Sequence, residues 1–208
     1  GIYCGTSIED VPLEKGKWLV LARYNDKLIK LKPDLRERGI YFEYKNRKSY
    51  RTRLYAAIQN YTRWTNGSQL SISECRDLFE YLGKTFPETE ERMYDLKEFG
   101  YSNTQRWFDV FETEPEDSLY IRDMLRYGEE LSAPPRVKLS TIHAAKGGEA
   151  DNVLLLLDNT KTIREAIEKS PDKEDEENRV WYVGVTRTKQ NLYIVAARKE
   201  DEGYDIES

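Results

Sequence analysis

The sequence predicts an α/β protein whose parallel sheet is flanked by helices and interrupted by a helical insertion. Three observations support that class. The run Lys17-Trp-Leu-Val-Leu-Ala-Arg23 is short, apolar and polar-tipped, as a buried strand is. It precedes an amphipathic stretch and then a second short apolar run, Ile40 to Tyr44, which together make a β-α-β unit. Strand-like runs then vanish for some ninety residues and resume at Val137.

Taken in order, Asp26 to Arg38 carries apolar residues at Leu28, Ile29, Leu31 and Leu35 and stops at Gly39. Pro33 lies inside this helix and is expected to kink or split it. From Thr52 to Trp64 the spacing of Leu54, Tyr55, Ile58, Tyr61 and Trp64 is helical. Residues 65–135 offer helical stretches at Ser73–Gly83, Thr104–Phe111 and Asp117–Leu131, with no strand alternation, and Pro134-Pro135 closes them like a hinge. Strand-like runs follow at Arg136–Leu139, Val153–Leu157 and Leu192–Ala196. The acidic stretch Asp172–Glu177 reads as an exposed loop and the first turn of a last helix, where negative charge suits the dipole. Beyond Arg198 the tail is polar and expected to fray. The expected division is 1–64 for the first part of the sheet domain, 65–135 for the insertion and 136–208 for the remainder.

Bulk numbers bound the function classes. In 208 residues, 34% are charged and 38% hydrophobic, which suits a globular protein with a modest core. No run approaches the roughly 18 apolar residues of a membrane span, and no leader opens the chain. Cys4 and Cys75 are too few for a disulfide framework, so a reducing cytoplasm is expected. His143, the only histidine, has no Cys/His/Asp cluster at ligand spacing, so no metal site is expected. Nor does anything place Cys4 or Cys75 beside His143 as a nucleophile pair. The net charge of −5 argues against a uniformly basic glove, but phosphates respond to a local groove. Residues 41–55 offer one: Lys45, Arg47, Lys48, Arg51 and Arg53 against Glu43, with tyrosines interleaved. Cations offset phosphates and rings accept stacked bases. The alternative is a solvated helix start whose tyrosines pack into the core.

Two blocks carry candidate chemistry. In Ser140-Thr-Ile-His-Ala-Ala-Lys-Gly-Gly-Glu149, a strand ends in a polar, glycine-containing loop, where ligands bind in α/β sheets. Gly147 and Gly148 permit close backbone approach. Glu149 is suited to accept ribose hydroxyls, and Thr141 and His143 to reach a DNA phosphate. The alternative is a glycine turn with a capping threonine and a satisfied histidine. In Glu177-Asn-Arg-Val-Trp-Tyr-Val-Gly-Val-Thr-Arg-Thr188, Arg187 follows an apolar helix, and its planar fork suits phosphate oxygens. The alternative is a salt bridge to Glu176 or Glu177.

Together the blocks resemble motifs V and VI of the UvrD/Rep/PcrA-like DNA helicases of superfamily 1. The matching residues are Thr-x-His-x-x-Lys-Gly-x-Glu at 141–149 and Tyr-Val-Gly-Val-Thr-Arg-Thr at 182–188. Leu21-Ala-Arg-Tyr-Asn25 is similar to motif IV. The resemblance is strongest over 136–198, fair over 17–64 and absent from 65–135. It implies the second RecA-like domain of an ATP-dependent 3′→5′ helicase, a P-loop NTPase-type motor half of DNA repair or replication. It further implies that Arg23 and Arg187 are catalytic arginine fingers on the γ-phosphate, that Glu149 binds ribose and Gly147 shapes the nucleotide loop, and that Thr141 and His143 face single-stranded DNA. Arg47, Lys48 and Arg51 are added as DNA contacts from the basic stretch. The implied cofactor is ATP with Mg²⁺, and the implied partners are single-stranded DNA and an N-terminal RecA-like domain, with no membrane. The setting is a bacterial cytoplasm, or the host's if a phage encodes the protein. Where the family stacks a tyrosine on adenine, before the motif IV arginine, this chain has Ala22, with Tyr24 on the other side. No Gly-x-x-x-x-Gly-Lys-Ser/Thr occurs in these residues, and no strand ends in Asp-Glu, so the Mg²⁺ ligands are expected in the N-terminal domain and this chain alone is expected not to hydrolyse ATP. A DNA-binding or regulatory module that kept the fold without a motor is the alternative.

Overall fold

The computed structural model describes residues 2–3, 7–101, 103–145 and 147–197. Cys4 and the polar tail from Arg198 fall outside them, as does Lys146 of the Thr141–Glu149 loop. The chain divides into two compact units, residues 1–49 with 127–208, and residues 50–126.

In chain order the first unit opens with β1 (Ile2–Tyr3), β2 (Trp18–Ala22), α1 (Asn25–Glu37), β3 (Phe42–Tyr44) and β4 (Arg47–Lys48). The second unit contains α2 (Thr52–Thr65), β5 (Leu70–Ser71), α3 (Ile72–Tyr81), β6 (Met93–Tyr94), a 3₁₀ turn (Leu96–Phe99), α4 (Trp107–Val110) and α5 (Pro115–Arg126). The first unit resumes with β7 (Val137–Thr141), β8 (Ala150–Leu157), α6 (Lys161–Lys169), α7 (Pro171–Val185) and β9 (Thr188–Ala196).

The first unit is a seven-stranded sheet in the order β1-β9-β8-β2-β7-β3-β4. Every pairing is parallel except β3 with β4, which form a hairpin. β2 is central, bonded to β7 on one side and β8 on the other, and all five of its residues are buried. A strand covered on both faces gains most from a continuous apolar run, which is why Trp-Leu-Val-Leu-Ala reads without alternation. The same holds for Val153–Leu157 in β8.

Helix α1 continues through Pro33 from Asn25 to Glu37 and is not split there. The carbonyl that loses its donor belongs to Ile29, whose side chain is exposed, so solvent is at hand to satisfy it. Leu28, Leu31 and Leu35 face the sheet. Helix α7 presents Glu177, Trp181 and Gly184, spaced i, i+4, i+7, as its buried stripe. Trp181 joins a cluster with Leu21, Ile142 and Leu155. A Cβ at Gly184 would stand 3.1 Å from Leu155 Cδ1, so glycine sets how closely α7 approaches the sheet.

Four features of the fold differ from what the sequence predicts. The acidic stretch Asp172–Glu177 is helical throughout and Glu177 is buried, because a cation inside the fold pairs with it. A separate helix, α6, precedes it, which the sequence reading does not predict; it is short and has no fully buried residue. The stretch Thr104–Phe111 yields only one turn, α4. The helical unit also contains a two-stranded antiparallel ladder, β5 with β6, too short for alternation to register.

The unit boundaries fall at 49/50 and 126/127, where composition suggested 64/65 and 135/136. Packing explains the difference. Ala57, Tyr61 and Trp64 of α2 share a core with Leu70, Ile72, Leu78 and Phe79, so α2 belongs with the helices that follow it. That core is aromatic: the Trp64 ring lies within 6.1 Å of Phe79, Phe99 and Tyr101 by ring centroids, and its Nε1–H donates to the Tyr94 carbonyl at 3.2 Å. Ser71 and Glu74 form a capping box at the start of α3.

Candidate functional site

Strand topology decides where polar groups gather. From β2 the chain crosses through α1 toward β3, whereas from β8 it crosses through α6 and α7 toward β9. Adjacent strands that connect in opposite directions leave a crevice at their carboxyl ends, the usual ligand position in such sheets. Arg23 and Tyr24 follow β2 at this edge, and Asp158 follows β8. Lys27 pairs with Asp158 at 2.8 Å across the crevice.

Arg23 is the centre of the arrangement. Its Nε and Nη2 donate to the two carboxylate oxygens of Glu177 at 2.9 and 2.7 Å. Its Nη1 lies 3.2 Å from His143 Nδ1. A guanidinium can only donate, so in this contact His143 Nδ1 is the acceptor. Side-chain exposure is 16% for Arg23 and 9% for Glu177, so water screens this pair poorly. The hydrogen bond to Glu177 holds the Arg23 guanidinium above its ordinary range, against the opposing effect of burial. Tyr24 beneath it, with ring centroid 5.0 Å from the guanidinium carbon, has its phenol pushed up by burial.

The loop from β7 reaches the same edge. Ile142 N–H donates to the Ala22 carbonyl at 3.0 Å, which pins the loop beside β2. Thr141 Oγ1 accepts from Ala144 N–H at 3.2 Å and caps the turn. His143 is largely exposed to solvent. The turn ends at Gly147, whose φ of +79° is the left-handed conformation that favours glycine.

Glu149 and Arg187 stand elsewhere. Glu149 directly precedes β8 and Arg187 directly precedes β9, at the amino edge of the sheet. The Ala150 N–H donates to the Arg187 carbonyl at 3.1 Å and ties the two segments together. Ala22 pairs with Leu156, six positions along β8 from Ala150, so this edge is about 20 Å from the Arg23 crevice along the strand. The Thr141–Glu149 loop spans that distance on one face of the sheet. Beside Glu149 a cleft of about 570 Å³ is lined by Lys17, Arg136, Lys138, Ser140 and Lys189. Lys189 Nζ sits 3.7 Å from the Glu149 carboxylate, both side chains being about half exposed.

Arg187 meets no carboxylate among the described residues. Glu177, one candidate partner, is taken by Arg23, and Glu176 by Lys173 at 2.6 Å. Arg187 instead donates to the Val183 carbonyl at 3.0 Å and to Thr186 Oγ1 at 3.1 Å. Its charge is therefore uncompensated and its present partners are weak. The structure thus groups Arg23 with His143 and Thr141, and Arg187 with Glu149 and Gly147's end of the loop.

The basic stretch splits between the two units. Arg47 and Lys48 are exposed on the β3–β4 hairpin, while Arg51 belongs to the helical unit and pairs with Asp117 at 2.8 Å. Tyr41, Phe42 and Tyr50 are core residues, as the alternative reading had it, whereas Tyr44 is half-buried. Glu177, the buried partner of Arg23, is the residue of this arrangement that sequence reasoning placed in an exposed stretch. A carboxylate on the apolar stripe of α7, four before Trp181 and seven before Gly184, was the available signal.

Among the described residues, no helix is long and apolar enough to cross a membrane, and no three His, Cys, Asp or Glu side chains gather as a metal site. Residues 19–199 match the family model of the UvrD-like helicase C-terminal domain. The chain is 40% identical over 86 residues to the ATP-dependent DNA helicase UvrD2 of Mycobacterium tuberculosis (strain H37Rv), covering 38% of this chain and 12% of that protein. It is 38% identical over 76 residues to the probable DNA helicase II homolog of Rickettsia conorii, covering 34% of this chain and 11% of that protein. The DNA helicase II of Rickettsia typhi matches to the same extent. The matched region thus spans about a tenth of these relatives' length. A mostly parallel sheet with Arg23, His143 and Arg187 on its inter-element loops, matched by one family model over most of its length, has one reading: the chain belongs to the UvrD-like helicase C-terminal domain family.

Proposed function

We propose that this chain is the second RecA-like motor domain of an ATP-dependent 3′→5′ DNA helicase of superfamily 1, which steps along single-stranded DNA and unwinds duplex. The N-terminal RecA-like domain of the same protein and single-stranded DNA are the partners this requires. The observation that carries the reading is the Glu177–Arg23–His143 relay. One guanidinium bonds both the loop assigned to the strand and the helix that ends at Val185, two residues before Arg187.

ATP supplies the phosphoanhydride whose cleavage drives the cycle, and the residues present fit such a ligand. The cations Lys17, Arg136, Lys138 and Lys189 outnumber Glu149 and Asp151 in the cleft and suit a polyphosphate, and Arg187 meets no competing acid among the described residues. Arg23 differs, because it must leave Glu177 before it can meet a phosphate. Arg187, by contrast, rests on the Val183 carbonyl of α7 and has no carboxylate to leave among the described residues. In this reading Arg23 exchanges its carboxylate for phosphate oxygen when nucleotide binds, and the exchange moves its bond to His143. Nucleotide state and grip on the strand change together through that one side chain.

The test is Arg187→Ala in the full-length protein, read by DNA-stimulated ATP hydrolysis. Arginine fingers contribute about 10³-fold or more to turnover, and a loss on that scale is expected. An unchanged rate refutes the assignment.

A further inference from the structure

Away from the crevice, the outer edge of the sheet carries a second concave surface that the relay does not use. A cleft of about 580 Å³ lies between α1 and the β3–β4 hairpin. Lys32 and Arg36 of α1 line one wall, and Lys45, Arg47 and Lys48 line the other. Phe42 and Tyr44 form its apolar side. No carboxylate lines it among the described residues. Glu43, the acid on β3, alternates to the opposite face, where it lies 3.4 Å from Lys138.

Three of these cations, Lys32, Lys45 and Arg47, meet no carboxylate among the described residues. Lys32 and Lys45 instead point their ammoniums at one ring, Tyr44, at 4.2 and 5.3 Å from its centroid. Two like charges held against one ring repel each other and are poorly compensated by it, since a cation–π contact is weaker than an ion pair. The hairpin turn adds a second observation. Lys45 and Asn46 adopt φ of +51° and +59°, a left-handed two-residue turn that favours Asn-Gly or Gly. A lysine in that conformation is strained, and it places a cation at the hairpin tip. Strain of this kind points toward function when the residue's chemistry has a use at that spot.

Position indicates the use. Tyr44 pairs with Leu139 of β7, two residues short of Thr141, so the hairpin tip lies about 8 Å from the Thr141–His143 loop along the same sheet edge. The Tyr44 hydroxyl donates to Asn25 Oδ1 at 3.0 Å and fixes the ring between α1 and the tip. Cations that can leave a tyrosine face for phosphates, and a face then open to a base, are the two elements of single-strand binding.

We infer that the cleft between α1 and the β3–β4 hairpin binds consecutive phosphates of single-stranded DNA through Lys32, Lys45 and Arg47, with Tyr44 taking a base. Lys32 and Tyr44 are new to the DNA path, and Arg51 is not part of it. The inference rests on the reading that this protein grips a single strand, and extends that path from the His143 loop down the flank of the sheet.

The experiment uses the full-length protein and fluorescence anisotropy on a deoxythymidine oligonucleotide over a range of salt. Each phosphate neutralised on a single strand contributes about 0.7 to the slope of log K against log salt. The Lys32→Gln, Lys45→Gln, Arg47→Gln variant should flatten that slope by about two. A methylphosphonate oligonucleotide, whose backbone is uncharged, should not distinguish variant from parent. Lys45→Gly serves as a second variant, because glycine relieves the turn: it should melt no lower than the parent yet flatten the slope by about 0.7. Parental slopes in both variants overturn the inference while leaving single-strand binding itself intact. A parent protein that binds neither oligonucleotide overturns the DNA reading as a whole.

Discussion

Replacing Glu177 by Gln tests the relay from two sides at once. The pair it disrupts joins Arg23 through bonds of 2.9 and 2.7 Å with side-chain exposures of 16% and 9%. Removing one partner of a fully buried ion pair costs about 3–5 kcal/mol, because the other charge is stranded. Glutamine keeps one acceptor oxygen and Arg23 keeps some contact with water, so the expected cost is lower, about 2 kcal/mol, near one charge-assisted hydrogen bond. For a chain of this size that corresponds to a fall in Tm of about 4–8 °C. In the proposed exchange, the carboxylate competes with phosphate for Arg23. If about 1.4 kcal/mol of that competition is relieved, nucleotide affinity rises about tenfold. Stability and nucleotide affinity should therefore move in opposite directions, which a purely structural salt bridge does not predict. Thermal unfolding by circular dichroism reads the first, and titration of the full-length protein with a fluorescent ATP analogue reads the second. A variant that loses stability and binds nucleotide more weakly would sink the exchange proposed for Arg23. A variant with unchanged Tm would show that the pair contributes nothing to the fold.

Two further outcomes follow from the packing. At Gly184 an added Cβ meets Leu155 Cδ1 at 3.1 Å, so Gly184→Val should overpack the α7 contact and cost about 1–3 kcal/mol in urea unfolding; parental stability would mean that α7 can move off the sheet without loss. Cys75 is fully buried in the helical unit and burial pushes its thiol up to about 11. In a Cys4→Ser background it should resist a thiol reagent at pH 8 until the protein unfolds, and rapid labelling under native conditions would contradict that burial. Because this acid is neutral in the fold and ionises more readily in the unfolded chain, its contribution to stability is intact below the ordinary thiol range. It is lost as pH rises toward about 11.

How much of this was legible beforehand depends on the range of the interaction. β2 and β8 are visible because both faces are buried and the run is continuous. The loops carrying Arg23, Thr141 and Arg187 are visible because residue type and spacing are local properties. Glu177 was obscured by five exposed residues before it, Asp172 to Glu176, whose charge dominates any composition window. The unit boundary at Ser49 was obscured because α2 is amphipathic under either assignment, and only its partners, Leu70, Ile72 and Phe79, decide which core it joins.

The sequence by itself determined the fold class, the family resemblance and the residue types at each loop, since all of these follow from short-range pattern. Only tertiary structure decided how those loops divide between the two edges of the sheet. Strand register separates Arg23 and His143 from Glu149 and Arg187 by about 20 Å, and register is fixed by pairings between residues far apart in the chain. It also decided that Arg23 is held by a buried carboxylate while Arg187 is not. That asymmetry comes from which face of α7 meets the sheet, set by Trp181 and Gly184 packing on Leu155 and Ile142. A buried charge requires a counter-charge, and the fold alone determines which acid supplies it.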